Sequence, residues 1–278
     1  MKPAPFAYHR PASLDEALTT LAGDPHAKVL AGGQSLVPLL SMRLAQPSAL
    51  VDLAGIPGLD GIEVDEHGVR VGALARHSAV LASADVRRVQ PLVGLALAHV
   101  AHATIRNRGT TVGSVVHADA AAEMPAVLAL LGGSVEAASV RGTRTIAADE
   151  LYLGPLESSL APDEIATSAW FPALPPGAGV AFEEVARRQG DYALAGVAAV
   201  ADDAGVRAGY LSVCEVPTVV DLTDVPAGGR GDAALARLDP AEDIHATAAY
   251  RSQLVRVLTE RVVESALVSR RDRAGEGR

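Results

Sequence analysis

The feature that most constrains the fold of this chain is a pair of adjacent glycines, Gly32 and Gly33, in the segment VLAGGQSLVPLL (residues 29–40). The apolar residues before the pair predict a strand, and the apolar run after it, which contains Pro38, predicts a helix that starts near this proline. Glycine reaches positive φ without steric cost, so the pair predicts a tight turn. The missing side chains would also let backbone N–H groups approach an anionic ligand closely. The segment alone does not decide between these two roles.

A second segment, residues 103–125, is rich in glycine and hydroxyl residues and lies between two predicted helices. Its central part concentrates N–H and O–H donors in Gly109, Thr110, Thr111, Gly113 and Ser114. Such a loop suits phosphate oxygens, although the same composition is common in ordinary loops. Neither segment has the spacing G-x-G-x-x-G or G-x-x-x-x-G-K-[ST], so a Rossmann fold and a Walker loop have no support.

The composition excludes several classes of function. A net charge of −9 argues against nucleic acid as a partner, because phosphate binding needs a concentrated basic surface. No apolar run reaches the roughly 18 residues of a membrane-spanning helix. With Cys214 as its one cysteine, the chain forms no internal disulfide and cannot ligate an iron–sulfur cluster, which takes about four thiolates. A cytoplasmic location is expected.

The pattern along the chain mixes helices and strands without a regular βαβ alternation, which predicts an α+β fold. Ser13 and Glu16 form a capping box ahead of a short helix, and a further helix is predicted over residues 91–103. The proline- and glycine-rich segment 170–180 marks a domain boundary. A meander of strands and a final helix follow. The predicted apolar stripe of that helix comprises Tyr250, Leu254, Val257, Leu258 and Val262.

Two other groups of residues contain side chains that can bind a metal or take part in redox chemistry. His99 and His102 are one helical turn apart and His117 lies close to Asp119, so a metal site could be drawn from them, but none is predicted. Cys214 lies in an apolar strand pattern. It is therefore predicted to be a small buried side chain rather than a redox group.

A series of motifs follows the two glycine-containing segments in a fixed order. The run AGGQSL is followed by an apolar helix, a motif R-L-A-x-P and a strand that ends in Val-Asp, which here are Arg43, Leu44, Ala45, Pro47, Val51 and Asp52. Further along are VGALARHS, IRNRGT, HADAAAEMPAVL, LAPDEI, ARRQGDYALAGVAAV and DIHATAAYR. In these motifs the chain resembles, over nearly its whole length, the FAD-binding medium subunit of the molybdenum hydroxylases, the carbon monoxide dehydrogenase and xanthine dehydrogenase family.

The resemblance implies a particular domain organisation. Residues 1–176 would form an FAD-binding domain of the p-cresol methylhydroxylase type, composed of two α+β subdomains at about 1–55 and 56–176. Residues 177–278 would form a small C-terminal α+β domain. FAD would be bound without a covalent link.

The resemblance also implies which residues contact FAD. Those that wrap one side of the diphosphate with main-chain donors would be Val29, Leu30, Ala31, Gly32, Gly33, Gln34, Ser35 and Leu36. Those that support it from the other side would be Thr110, Thr111, Val112, Gly113 and Ser114. Glu123 would bind the ribose or adenine end, and Val100 and Ile165 would lie against the rings. Arg106 and Arg108 would either add a local positive charge or lie in solvent.

The chain departs from the family pattern at three places. Val112 stands where the family has the first glycine of a pair, and a β-branched residue is uncomfortable at positive φ, so this loop is expected to bind FAD in a changed geometry or more weakly. Cys214 and Glu215 replace a Gly-Gly pair. Glu183 and Glu184 occupy the region where family members carry a lysine.

The function implied by the resemblance is electron transfer. FAD would accept electrons from iron–sulfur clusters of a small partner subunit, which draws them from the molybdenum cofactor of a large molybdopterin-binding subunit in a heterotrimer. The electrons would pass to NAD, a quinone or oxygen. The altered glycines leave two alternatives, a stand-alone FAD-dependent oxidase or dehydrogenase that acts on a small molecule, and a structural subunit that binds little FAD.

Overall fold

A computed structural model describes residues 2–276 of the chain. The strands are β1 Ala7–His9, β2 Lys28–Leu30, β3 Ala49–Asp52, β4 Ile62–Val64, β5 Gly68–Gly72, β6 Ser134–Ser139, β7 Gly142–Ala147, β8 Tyr152–Gly154, β9 Glu157–Ser158, β10 Ile165–Pro172, β11 Gly179–Ala186, β12 Ala193–Asp202, β13 Gly205–Leu211 and β14 Thr218–Asp221. The α-helices are α1 Leu14–Ala22, α2 Leu36–Met42, α3 His77–Ala82, α4 Ala84–Val89, α5 Pro91–Leu97, α6 Ala103–Arg106, α7 Thr111–His117, α8 Glu123–Leu131, α9 Ala148–Leu151, α10 Arg230–Leu235 and α11 Ala248–Glu276.

The first sheet has three parallel strands in the order β1-β3-β2, with α1 and α2 in the connections between them. The predicted cap of α1 is present in a variant form. The Ser13 hydroxyl accepts from the N–H of Glu16, while the Glu16 carboxylate accepts from the N–H of Ala12 rather than from that of Ser13. The topology places the Gly-Gly turn at the carboxyl end of β2, directly before α2.

The second sheet is antiparallel, with the order β4-β5-β10-β6-β7. Its inner face carries Val71 on β5 and Phe171 on β10, both fully buried. The helices α5, α7 and α8 cover this face with Leu97, Val115 and Leu128. This apolar core fixes α7, and with it the second glycine-containing segment, against the sheet.

The third sheet is the predicted meander, with antiparallel strands in the order β11-β12-β13-β14. Helix α11 packs on one face, and α8 approaches the other, where Leu130 lies against Gly209 of β13. All ten residues of β12 are buried. Since both faces are covered, the strand is a nearly continuous apolar run, mostly alanine and valine, that ends in Asp202 and shows no polar alternation.

The helix predicted over residues 91–103 is interrupted. It ends at Leu97, and a separate turn of helix begins at Ala103. Between them Ala101 adopts a positive φ of 42°. The Arg106 guanidinium donates to the carbonyl oxygens of Val100 and Ala101 at 2.7 and 2.9 Å, so the chain leaves the helix without unpaired carbonyls there. Arg106 is thus a local structural group.

The predicted stripe of the final helix is partly wrong. Leu258 and Val262 are buried, whereas Tyr250 and Val257 are 46% and 42% exposed. The buried face is rotated by one residue, so the core-facing position near the helix start belongs to Arg251, which is 3% exposed and donates to Leu194 O and Asp243 Oδ2. Within residues 2–276, neither α11 nor a shorter helix combines the length and apolar composition needed to cross a bilayer.

Candidate functional site

The two glycine-containing segments contact each other through their backbones. A Cβ atom on Gly32 would lie 2.5 Å from Arg108 O, 2.8 Å from Gly109 Cα and 3.0 Å from Thr110 N. Only a residue without a side chain fits this gap. Gly32 therefore allows the segments predicted to hold one ligand to lie side by side.

The first segment presents backbone donors in a turn between Leu30, the last residue of β2, and Leu36, the first of α2. Gly33 has a φ of 72°, which explains the second glycine of the pair. Within residues 2–276, the N–H groups of Gly33, Gln34 and Ser35 donate to no protein acceptor. Three consecutive half-buried donors without partners suit an anionic group such as a diphosphate.

The second segment is a helix start and not the predicted loop. Thr110 is the N-cap of α7, and its hydroxyl accepts from the N–H of Gly113 at 3.2 Å. The N–H of Thr111 donates to Ala75 O, and that of Ser114 donates to Thr110 O. Residues 110–112 are buried, so Gly113 and Ser114 are the half-buried members of the predicted set. The glycine and hydroxyl residues of this segment therefore contribute to helix capping, in addition to any contact with a ligand.

His77, which the sequence reading did not single out, fixes this helix start. Its side chain is 4% exposed, and Nδ1 lies 3.2 Å from Thr111 Oγ1. The N–H of His77 donates to Gly109 O, which ties α3 to the second segment. Burial, and to a lesser extent the charge of Arg106, lowers the pKa of His77 to about 4. The imidazole is therefore neutral at pH 7.

Stability should fall as the pH drops from 6.5 towards 4. Over this range the unfolded chain binds a proton at His77 and the folded chain does not, which costs up to about 1.4 kcal/mol per pH unit. Between pH 7 and pH 5, the wild-type free energy of unfolding should fall by about 1–2 kcal/mol more than that of His77→Gln. Urea titrations at both pH values measure this difference, and equal losses in the two proteins would contradict the assignment.

The apolar residues among the predicted contacts fall into two core clusters. Ile165 is 1% exposed and packs in the cluster that includes Val29 and Ala31 of the first segment. Val100 is 8% exposed and shares a cluster with Val112. Each segment thus rests on its own group of apolar side chains.

Acidic side chains gather near the start of α8. Glu123 is 9% exposed, and burial together with the charge of Glu184 raises its pKa to about 8. Glu184 Oε1 lies 3.5 Å from His99 Nδ1, and this contact raises the pKa of His99. The His99 ring also packs on Phe182, with 5.0 Å between the ring centroids. Glu123, predicted as a ligand contact, is therefore one member of a buried acidic pair.

Tyr192 links this acidic pair to the first segment. The side chain is 64% exposed and belongs to the connection between β11 and β12. Desolvation of its hydroxyl and the carboxylates of Asp119 and Glu123 raise the pKa of Tyr192, while the neighbouring Ser35 hydroxyl opposes the shift. The sequence reading missed Tyr192, although it lies within the quoted motif ARRQGDYALAGVAAV.

The remaining candidate residues take local roles. Cys214 is half-buried and follows β13 instead of lying in it, because Ser212 has a positive φ of 57° that ends the strand. Its Sγ accepts from the N–H of Asp239 at 3.4 Å, and Glu215 is exposed.

Among residues 2–276, no group of three or more His, Cys, Asp or Glu side chains is arranged to hold a metal ion.

The fold and the adjacent segments define an FAD-binding protein of the molybdopterin dehydrogenases. The family model described as the FAD binding domain in molybdopterin dehydrogenase matches residues 4–174. The chain belongs to this family and is an FAD-binding medium subunit of the molybdenum hydroxylases, a class of oxidoreductases. The resemblance, the fold class and the cofactor predicted from the sequence are confirmed.

Individual relatives resemble the chain over almost its full length. The nicotine 6-hydroxylase medium subunit of Paenarthrobacter nicotinovorans is 42% identical over 281 residues, which cover 96% of this chain and 99% of the relative. Quinoline 2-oxidoreductase from Pseudomonas putida 86 has a TM-score of 0.86 and 37% identity, covering 96% of this chain and 98% of that chain. Carbon monoxide dehydrogenase from Hydrogenophaga pseudoflava has a TM-score of 0.91 and 31% identity, covering 97% and 99%.

Proposed function

We propose that this chain carries electrons between an iron–sulfur partner subunit and an external acceptor, with FAD held between the segments 29–36 and 110–114. The observation that carries the proposal is the backbone contact at Gly32, which places three unpaired N–H donors of the first segment beside the second. Local dipoles of this kind bind a diphosphate in a protein whose net charge is −9.

Different residues would bind different parts of FAD. The N–H groups of Gly33, Gln34 and Ser35 would bind the diphosphate, with Ser114 on the opposite side, and Glu123 would bind a sugar or adenine donor. Bound FAD supplies an isoalloxazine that accepts two electrons and releases them singly or in pairs. The protein's part is to bind and orient the cofactor and to exclude water from it.

The other centres belong to partner subunits in this proposal. With a single cysteine, the chain lacks the thiolates of an iron–sulfur cluster, so the clusters come from a small subunit and the molybdopterin from a large one. The assembly is a cytoplasmic heterotrimer, and its acceptor is NAD, a quinone or oxygen. Residues 1–176, with subdomains at about 1–55 and 56–176, form the FAD-binding domain, and residues 177–278 the C-terminal domain.

The substrate class follows from the relatives. Nicotine and quinoline are nitrogen-containing aromatic rings, and the proteins named for them share 42% and 37% of their residues with this chain, against 31% for the carbon monoxide dehydrogenase. We therefore propose that the complete complex hydroxylates a nitrogen heterocycle. The ring itself would bind to the large subunit.

An anaerobic reduction experiment tests this function. Mixed without oxygen with nicotine or quinoline, the FAD-loaded chain alone should keep its oxidised flavin spectrum. The flavin of the chain purified in complex with its large and small partner subunits should be bleached within seconds. If the heterocycle reduces the flavin of the isolated chain directly, the chain is a stand-alone dehydrogenase. If the complex turns over the substrate without reducing its flavin, electron transfer through FAD is contradicted.

A further inference from the structure

The carboxylate of Glu184 has one oxygen without a partner. Its side chain on β11 is 5% exposed, and Oε1 faces His99 Nδ1 at 3.5 Å. Oε2 is buried and accepts no hydrogen bond from residues 2–276. A buried carboxylate oxygen of this kind costs free energy until a donor reaches it. The position is therefore suited to a ligand that brings a hydrogen-bond donor.

The groups around Glu184 do not supply that donor. Phe182, two residues earlier on the same face of β11, packs on the His99 ring. Glu123 faces Glu184 with a second carboxyl group, and Asp119 adds a further negative charge to Glu123. Glu183 points to the other face of β11, where it pairs with Arg261 of α11. The carboxyl of Glu123, which its raised pKa keeps largely protonated at pH 7, carries an O–H group but makes no hydrogen bond to Oε2, so a donor from outside the chain can occupy that oxygen.

The location of the acidic pair connects it to the proposed FAD site. Glu123 acts on the hydroxyl of Tyr192, which in turn neighbours Ser35 of the first segment. His99, the partner of Oε1, directly precedes Val100, another predicted contact. Glu184 is thus close to one predicted cofactor contact, Glu123, and its partner His99 is adjacent in sequence to another, although the sequence marks Glu184 as a departure from the family pattern.

We propose that Glu184 is a further FAD-positioning residue, whose Oε2 accepts a hydrogen bond from a hydroxyl group of the cofactor. This inference rests on the proposed function. The anionic diphosphate is repelled by the Glu184 carboxylate, whereas the hydroxyl groups of the ribityl chain and of the ribose are donors that a carboxylate binds well. His99 holds Oε1 and so keeps Oε2 directed at the cofactor.

The test compares FAD affinity with stability in the full chain freed of flavin. In Glu184→Met the lone buried acceptor is gone, so the melting temperature without FAD should stay equal or rise, while the Kd for FAD should increase at least tenfold. A merely structural role would lower both stability and affinity. Glu183→Met, on the opposite face of the same strand, should change the Kd by less than twofold. Glu184→Gln keeps the shape of the side chain and should weaken FAD binding by about threefold.

The outcomes separate the inference from the function on which it rests. Failure of the wild-type chain to bind FAD would overturn the proposed function. Wild-type binding with an unchanged Kd in Glu184→Met and Glu184→Gln would overturn the role of Glu184 alone. FAD analogues that lack the ribose 2′-hydroxyl or individual ribityl hydroxyls identify the donor. The analogue that lacks the donor should bind the wild-type chain more weakly than FAD does, but should bind Glu184→Met as tightly as FAD does. If no analogue behaves in this way, the proposal is contradicted.

Discussion

Gly32→Ala should abolish FAD binding, with at least a 100-fold increase in Kd. The added Cβ would lie 2.5 Å from Arg108 O and 2.8 Å from Gly109 Cα, and both are backbone atoms that no rotamer change can move. The two segments must separate to make room, which pulls the unpaired donors of the first segment away from the second. Forced overpacking should also cost about 1–3 kcal/mol of stability.

Two other glycines separate this effect from a general cost of adding a side chain. Gly61 has open space around the position of a Cβ and no positive φ, so Gly61→Ala should leave both FAD affinity and stability unchanged. Gly33 has a φ of 72°, and a Cβ there would lie 3.2 Å from the flexible side chains of Leu30 and Val37. Gly33→Ala should therefore cost about 1–2 kcal/mol of strain with a smaller loss of affinity. Fluorescence titrations with FAD and urea unfolding measure both quantities. Normal affinity in Gly32→Ala would refute the requirement for contact between the segments.

Sequence patterns predict those parts of the fold in which each segment has a single role. The apolar run at residues 193–202 predicts a strand of the meander, and β12 is that strand, buried between α11 and α8. The Gly-Gly pair predicts a turn after a strand, since few other residues tolerate a φ of 72°. In both cases local preference and tertiary packing favour the same structure.

The patterns are misleading where one residue satisfies two requirements. Small and hydroxyl side chains are typical of loops, so the pattern around Thr110 and Gly113 predicts a loop. The same threonine is also a preferred N-cap, and this signal could have identified the start of α7. Arg251 occupies a core-facing position of α11 because it pairs with Asp243 and donates to three carbonyl groups, which no apolar pattern reveals.

The inward orientation of Glu184 could have been predicted from strand alternation alone. In the sequence AFEEVA, residues 182 and 184 share one face of a strand, so an inward Phe182 places Glu184 inward as well. The neighbourhood of Glu123 was beyond the reach of the sequence. Glu123 opens α8 about 60 residues before Glu184, and only the packing of the third sheet against this helix region brings the two carboxyl groups together.

Val112→Gly should destabilise the chain by about 3 kcal/mol, even though it restores the residue that the family has at this position. Val112 is 1% exposed, lies in the first turn of α7 and packs in the same core cluster as Val100 and Val115. Its φ is not positive, so the expected conformational conflict does not arise. Removing the side chain forfeits about 2 kcal/mol of burial, and glycine in a helix costs about 1 kcal/mol more.

FAD affinity in the folded fraction of Val112→Gly should change by less than about threefold, which is about 0.7 kcal/mol. The side chain of Val112 faces the core, and the hydrogen bond between the Thr110 hydroxyl and the N–H of Gly113 remains in the variant. Val116→Gly, one turn later on the same helix and half-buried, is the matched control and should cost about half as much stability. Urea unfolding gives the stabilities, and FAD titration below the transition gives the affinities. A stable Val112→Gly variant would show that the valine adds nothing to the core. A large loss of affinity at full stability would instead place its backbone in direct contact with the diphosphate.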